Sequence, residues 1–209
     1  MHQLRTKISQ DLHDEVGATL TSISFLSEVA RKQTSDTDAP VVKTLDKIGE
    51  YSREMIGEIN DIVWAINPAN DKFDKITDRM KNFALPLLSA KNIRLEFKAD
   101  DELLNYSLGM EQRKNLYLVF KEAVNNAAKY ADCTAIEVNF LKEKSSLVLS
   151  IADNGKGFNA EEMKNGNGLK NMKLRAKEIK AAFQIQSATG EGTLILLQMP
   201  ITQNADMVR

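Results

Sequence analysis

Thiols are nearly absent from this chain. Cys133 is the one cysteine, so no internal disulfide can form and no thiol pair can hold a metal, which fits a reducing compartment. An excess of either charge is also missing: Lys and Arg total 28 against 29 for Asp and Glu, leaving no bulk field to draw in nucleic acid or an anionic membrane surface. No apolar run nears the roughly 18 to 20 residues of a spanning helix, and the N-terminus lacks the charged-then-apolar order of a signal peptide. These absences predict a cytoplasmic chain that binds no nucleic acid and does not itself insert into a membrane. What is present is 209 residues at 43% hydrophobic content, enough for one large domain or two small ones with a real core.

In the first third, Leu4, Ile8, Leu12, Val16, Leu20, Ile23 and Leu26 recur every three or four positions and predict an amphipathic helix to about Lys32. Polar residues 33–40 read as a turn. A second helix follows from Val41, Leu45, Ile48, Ser52, Met55, Ile59, Ile62 and Ile66, with Val42, Ile56 and Val63 widening the stripe to the width of a four-helix bundle. Two helices from about 65 residues hold too little core to fold alone, so dimerisation is expected. Asn67-Pro68 ends the second helix, because the residue before proline avoids the helical region and proline lacks an N–H. The boundary is expected there, dividing residues 1–68 from 69–209.

Beyond it the period mixes. Helices are expected near Phe73 to Ala90, Met110 to Tyr130 and 168–181, and strands at Ile93 to Phe97, 135–141, 146–152, 183–188 and 193–199. The fold class that follows is a helical hairpin, forming a four-helix bundle in a dimer, then an α/β sandwich with a mixed, largely antiparallel sheet.

Chemistry concentrates in a few places. His13 follows Leu12, and at ~100° per helical residue its ring falls at the rim of the apolar stripe, near water. A carboxylate at Asp14 can fix the ring's tautomer and leave the second nitrogen free to attack; both residues are equally readable as solvated helix groups. Gly17 costs a helix interior about 1 kcal/mol relative to alanine, which implies either close helix packing or room for an incoming domain, packing being the first expectation. Glu122, Asn126 and Lys129 share a helical face. They are a carboxylate, an amide and an ammonium suited to a water or proton, to Mg²⁺ and to phosphate, or simply a solvated face. Asp153-Asn154-Gly155-Lys156-Gly157-Phe158 leaves a strand end, Gly166-Asn167-Gly168-Leu169 precedes a helix whose free N–H groups make a phosphate seat, and Gly190-Glu191-Gly192-Thr193 opens the last strand as a hairpin turn.

In this order the motifs resemble sensor histidine kinases, in particular the nitrate-sensor-like subfamily whose phosphoacceptor histidine is followed by Asp. The likeness rests on Asp11-Leu12-His13-Asp14-Glu15-Val16-Gly17, on Asp61 to Pro68, and on the glycine boxes, which resemble the ATP-binding fold of gyrase and the mismatch-repair ATPases. It implies that His13 takes the γ-phosphoryl of ATP, with Asp14 orienting and deprotonating the imidazole. It implies further that Glu122 and Asn126 serve Mg²⁺, that Lys129 meets phosphate, and that Asp153 accepts from the adenine amino group. Gly155 and Gly157 would shape the base pocket, Gly166 and Gly168 would supply backbone donors, and Leu169, Gly192 and Thr193 would complete the ATP site. Residues 159–167 would form a short lid, and the ATP-binding domain would swing onto the bundle about the Asn67-Pro68 region.

The partners implied are a second copy of the chain and the receiver domain of a response regulator. The start a dozen residues before His13 reads as a fragment of a longer protein, membrane-anchored through a missing sensory region. Two positions depart from the pattern. Tyr130 stands where relatives often have histidine beside the nucleotide. Ala18 stands where many have an amide that positions a hydrolytic water, which leaves phosphatase activity without its usual side chain. The rival readings are a serine kinase or ATPase of the same nucleotide fold, which needs no His13-Asp14 pair, and a dimeric scaffold that ATP only stabilises.

Overall fold

The computed structural model describes residue 5 and residues 12–33, 39–159 and 167–201. The chain divides into two compact units, Met1–Ala69 and Asn70–Arg209.

The first unit is a helical hairpin. A π-helical turn, Leu12–Gly17, runs into α1 (Ala18–Gln33), and α2 spans Ala39–Ile66; of the turn expected at residues 33–40, Gln33, Ala39 and Pro40 are helical and residues 34–38 lie outside the described residues. The hairpin's inner seam is small and polar: Ser27, Gly49 and Ser52 are buried, and the Ser27 hydroxyl donates to the Leu45 carbonyl. Larger apolar side chains of the expected stripe stay uncovered in the single chain, with Leu26 at 63% and Met55 at 51% exposure. Two helices can bury only one stripe of each against the other, so a stripe of bundle width is left partly bare.

The backbone of Leu12–Gly17 is wound as a π-helical turn, with more residues per turn than an α-helix, and the His13 side chain, expected at the stripe's rim, lies outside the described residues. One expectation is corrected here. A Cβ built on Gly17 meets no described atom within 4 Å, so packing inside the hairpin is not what requires glycine there.

The second unit holds α3 (Phe73–Ser89), β1 (Arg94–Ala99), a 3-10 turn (Asp101–Asn105), α4 (Met110–Asn126), β2 (Ala135–Glu143), β3 (Ser146–Asp153), α5 (Asn167–Glu178), β4 (Ala182–Ser187) and β5 (Thr193–Pro200). Its sheet has the order β1-β2-β3-β5-β4. The β1/β2 pair is parallel and the other three are antiparallel, which is the mixed, largely antiparallel sandwich expected. The parallel pair follows from the α4 crossover between its strands, since parallel neighbours cannot be joined by a hairpin. Alternation puts Ile136, Val138 and Phe140, Leu147, Leu149 and Ile151, and Ile195, Leu197 and Met199 on one buried face. The helices close over it, Phe73 of α3 meeting Phe140 edge-on at 5.3 Å and Phe120 of α4 meeting Phe97 at 6.3 Å between ring centroids. The α-helical winding of α4 stops at Asn126, and a π-helical turn, Ala127–Ala131, completes the expected segment.

One buried ion pair ties the start of this unit to α4. Arg113 is fully buried, donates to the Asp71 carboxylate at 2.6 Å and to the Leu108 carbonyl at 3.0 Å. Backbone bonds from Leu108 N–H to Asp71 O and from Phe73 N–H to Tyr106 O close the same junction at 2.9 and 3.0 Å. Removing one partner of a buried pair strands the other charge, so Asp71→Ala is expected to cost about 3 kcal/mol, read as a lower denaturant midpoint at unchanged slope; a midpoint equal to that of the native chain would contradict the assignment.

Candidate functional site

The site grows from the end of β3. Asp153 keeps the inward parity of Ile151 and Leu149, and pairs with Ile136 on one side and Thr193 on the other, so a carboxylate stands where the strand pattern places core. Burial there pushes its pKa upward from the ordinary carboxylate value, opposed by the Gly155 N–H, which donates to Oδ1 at 2.9 Å, and by hydrogen bonds from the Thr193 hydroxyl and backbone.

The loop that follows is pinned on both sides. Asn154 Oδ1 accepts from the N–H groups of Thr134 and Ala135 at 2.9 Å each, and its Nδ2 donates to Thr134 Oγ1 at 2.9 Å. Lys156 N–H donates to the Ala131 carbonyl at 2.7 Å, directly over Gly155, where an added Cβ would collide with that same carbonyl. Gly157 at φ +58° and Gly192 at φ +72° occupy left-handed conformations that side chains resist, and each faces backbone at a distance no Cβ could share. Glycine is required here by backbone approach as well as by dihedral angle.

A cavity of about 610 Å³ opens beside this loop, a size typical of small-ligand clefts. From α4 and the π-helical turn it takes Glu122, Asn126, Lys129 and Tyr130; from the loop and β5, Asp153, Gly157 and Thr193; from α5, Gly168 and Leu169. These are nine of the residues singled out from the sequence. Glu122 Oε1 accepts from Asn126 Nδ2 at 3.1 Å, leaving the amide oxygen as a hard donor. Gly168 lies so close to this carboxylate that a Cβ would overlap Oε1, bringing the first turn of α5, with its free N–H groups, against the Glu122–Asn126 pair. Lys129 and Tyr130 are exposed at the cavity's side.

Gly155 and Gly192 do not line the cavity; they let the backbone behind it close up. Gly166 and residues 160–166 of the lid expected at 159–167 lie outside the described residues, as do the side chains of His13, Asp14 and Glu15, whose backbone belongs to the π-helical turn of the other unit. The sequence reading missed Lys156, Phe158, Met172 and Ile195 as lining residues. The first two adjoin the glycine box, Met172 lies one helical turn past Leu169, and Ile195 shares the face of Thr193, so periodicity from the chosen residues could have found them. Lys156 also bonds Asp132 at 2.7 Å, which lowers that carboxylate's pKa. Burial, followed by the nearby Asp153 charge, raises the pKa of the buried Cys133.

Two family models cover most of the chain: "Histidine kinase" matches residues 5–71, and "Histidine kinase-, DNA gyrase B-, and HSP90-like ATPase" matches residues 111–203. The chain belongs to the histidine kinases. Among curated relatives, the sensor protein VraS of Staphylococcus haemolyticus is 28% identical over 203 residues, 97% of this chain and 57% of its own. The sensor histidine kinase LiaS of Bacillus subtilis is 26% identical, covering 94% of this chain and 54% of its own. The chain therefore spans little more than half the length of these relatives. In fold, this histidine kinase core resembles the histidine kinase domain of the Erythrobacter litoralis blue-light activated histidine kinase, with a TM-score of 0.58 at 13% identity over 89% of this chain and 95% of that one. It resembles the Acinetobacter baumannii histidine kinase AdeS equally, at 0.58 and 14% identity over 91% and 98%. Among the described residues no helix is long and apolar enough to cross a membrane.

Because burial raises the Asp153 pKa, the folded chain holds a proton more tightly than the unfolded one, and stability contributed by the neutral acid is lost as pH rises through the raised pKa. Asp153→Asn keeps an acceptor for Gly155 without the charge, so it is expected to melt higher than the native chain at neutral pH, the gap closing as pH falls through that pKa. Thermal unfolding across pH 3 to 8 checks this; a native chain that melts higher at neutral pH would contradict it.

Proposed function

We propose that the chain is the ATP-dependent autophosphorylating core of a two-component signalling kinase, its first unit the dimerisation and phosphotransfer domain and its second the catalytic ATP-binding domain. The observation that carries this reading is the cavity in which nine residues chosen for nucleotide chemistry meet, with a half-buried carboxylate at one end and a helix N-terminus at the other.

ATP is the substrate, and the cleft fits it. Asp153, supported by the Gly155 N–H, accepts from the adenine amino group; Thr193 addresses the base from the neighbouring strand; Gly157 keeps the loop backbone close to the purine plane. Toward the phosphates, backbone N–H groups at Gly168 and Leu169 and the Lys129 ammonium offset negative charge. Asn126 and Glu122 would hold Mg²⁺, a pair of hard oxygen donors that leaves room for water and phosphate oxygens; the ion would neutralise charge on the phosphates.

Because His13 and the cavity belong to separate units, the nucleotide-bearing unit has to carry its substrate to the histidine. Asp14 holds the Nδ1 proton and so keeps the Nε2 lone pair available. Nε2 attacks the γ-phosphorus in line, an N–P bond forms as the bond to the β–γ bridging oxygen breaks, and ADP leaves. The phosphoryl group then passes to an aspartate of a receiver domain. The bare apolar stripe of the hairpin, including Leu26 and Met55, supports a second copy as the partner that completes a four-helix bundle. Ala18, the first residue of α1, offers no amide to position a hydrolytic water, which supports a kinase with weak phosphatase activity. A cytoplasmic setting, with an anchor in a sensory region outside this sequence, accords with the sensor relatives.

Incubation with γ-labelled ATP and Mg²⁺ is expected to give acid-labile, base-stable label on the chain, with His13→Gln reduced at least about a hundredfold, as for loss of a nucleophile. Equal labelling of both would reject the mechanism, and acid-stable label would favour a serine kinase.

A further inference from the structure

Ser187, the last residue of β4, takes part in the base end of the cleft without lining it. Its Oγ accepts from Phe158 N–H at 2.9 Å, donates to the Gly192 carbonyl at 2.8 Å and lies 3.2 Å from Thr193 Oγ1. The first bond joins the glycine loop to the sheet, beside the Gly190 N–H bond to the Lys156 carbonyl at 2.7 Å. With the second and third, one side chain connects the loop, the β4–β5 turn and the hydroxyl that faces the base.

The proton count makes this connection directional. Ser187 and Thr193 have one hydroxyl proton each, yet three contacts call for one: Ser187 to Gly192, Ser187 with Thr193, and Thr193 to the Asp153 carboxylate. With the Ser187 proton on the Gly192 carbonyl, the Thr193 proton goes to Asp153 or to Ser187, and toward a ligand the carboxylate and the Thr193 oxygen both present lone pairs. A 6-aminopurine offers its amino donor to this acceptor pair, and a 6-oxopurine sets its carbonyl oxygen against it.

We infer that Ser187 is a positioning residue for base selection: its hydroxyl fastens the Phe158 loop and, with its own proton on the Gly192 carbonyl, leaves Thr193 as an acceptor beside Asp153, tuning the cleft to 6-aminopurine nucleotides. This rests on reading the cavity as the ATP site. The test is calorimetric titration of the whole chain with ATP and with inosine triphosphate, each with Mg²⁺. Ser187→Ala is expected to weaken ATP about tenfold, the loss of one to two hydrogen bonds, and inosine triphosphate only about threefold, so the preference narrows. Ser187→Thr, which keeps the hydroxyl, is expected to restore it. Should the alanine chain show no cooperative thermal transition, Ser187→Cys, close in size but a weak donor, makes the same comparison. Unchanged ATP affinity, or equal weakening of both nucleotides, overturns the role of Ser187 while leaving the ATP site standing. A native chain that binds neither nucleotide overturns both.

Discussion

A carboxylate held at an inward strand position, with no cation among the described residues to neutralise it, is the constraint around which the second unit is arranged. Asp153 occupies a place where β3 alternation calls for an apolar side chain, and it is stabilised there by neutral donors, the Gly155 N–H and the Thr193 hydroxyl and backbone. A lysine or arginine at that spot would satisfy the charge more fully and leave the carboxylate less to gain from any further donor. The raised pKa is the signature of that incomplete satisfaction.

Meeting that constraint requires close backbone packing on every side. The Gly155 Cα lies beneath the Ala131 carbonyl, Gly157 against Ala188, Gly192 against the Asp153 carbonyl, and Gly168 against the Glu122 carboxylate. Four segments distant in sequence thus meet through glycines, and the cavity exists because their side chains are missing from the places where backbones touch. Asn154 and Ser187 then close the network with hydrogen bonds to Ala135 at the start of β2 and to Gly192 just ahead of β5. The helical hairpin follows a different logic: its inner seam is small and polar and its larger apolar residues lie outside it, an arrangement suited to assembly more than to independent folding.

Much of this was legible in the sequence, for definite reasons. Strand alternation from Ile136 to Phe140 is uninterrupted, that from Leu147 to Ile151 is broken only by Val148, and the sheet follows both. The helical face joining Glu122 to Asn126 needed only α-helical geometry, which α4 keeps up to that residue. The change of winding itself was not legible: the π-helical turn at Leu12–Gly17 has no hydrophobic-period signal. Gly17 was read as a packing glycine because propensity alone cannot tell contact from open space. The Arg113–Asp71 pair and the role of Ser187 depend on tertiary contacts between residues 42 and six positions apart, and neither residue type marks itself in a local pattern.

The most direct test of the central claim is an amide NMR titration of the whole chain with ADP and Mg²⁺. The account predicts the largest shifts at the N–H groups of Gly155, Gly157, Gly168 and Gly192, with Asp153→Ala abolishing them at the same ligand concentration. Shifts confined to the outer face of the sheet or to the hairpin, with these four glycines unmoved, would contradict it.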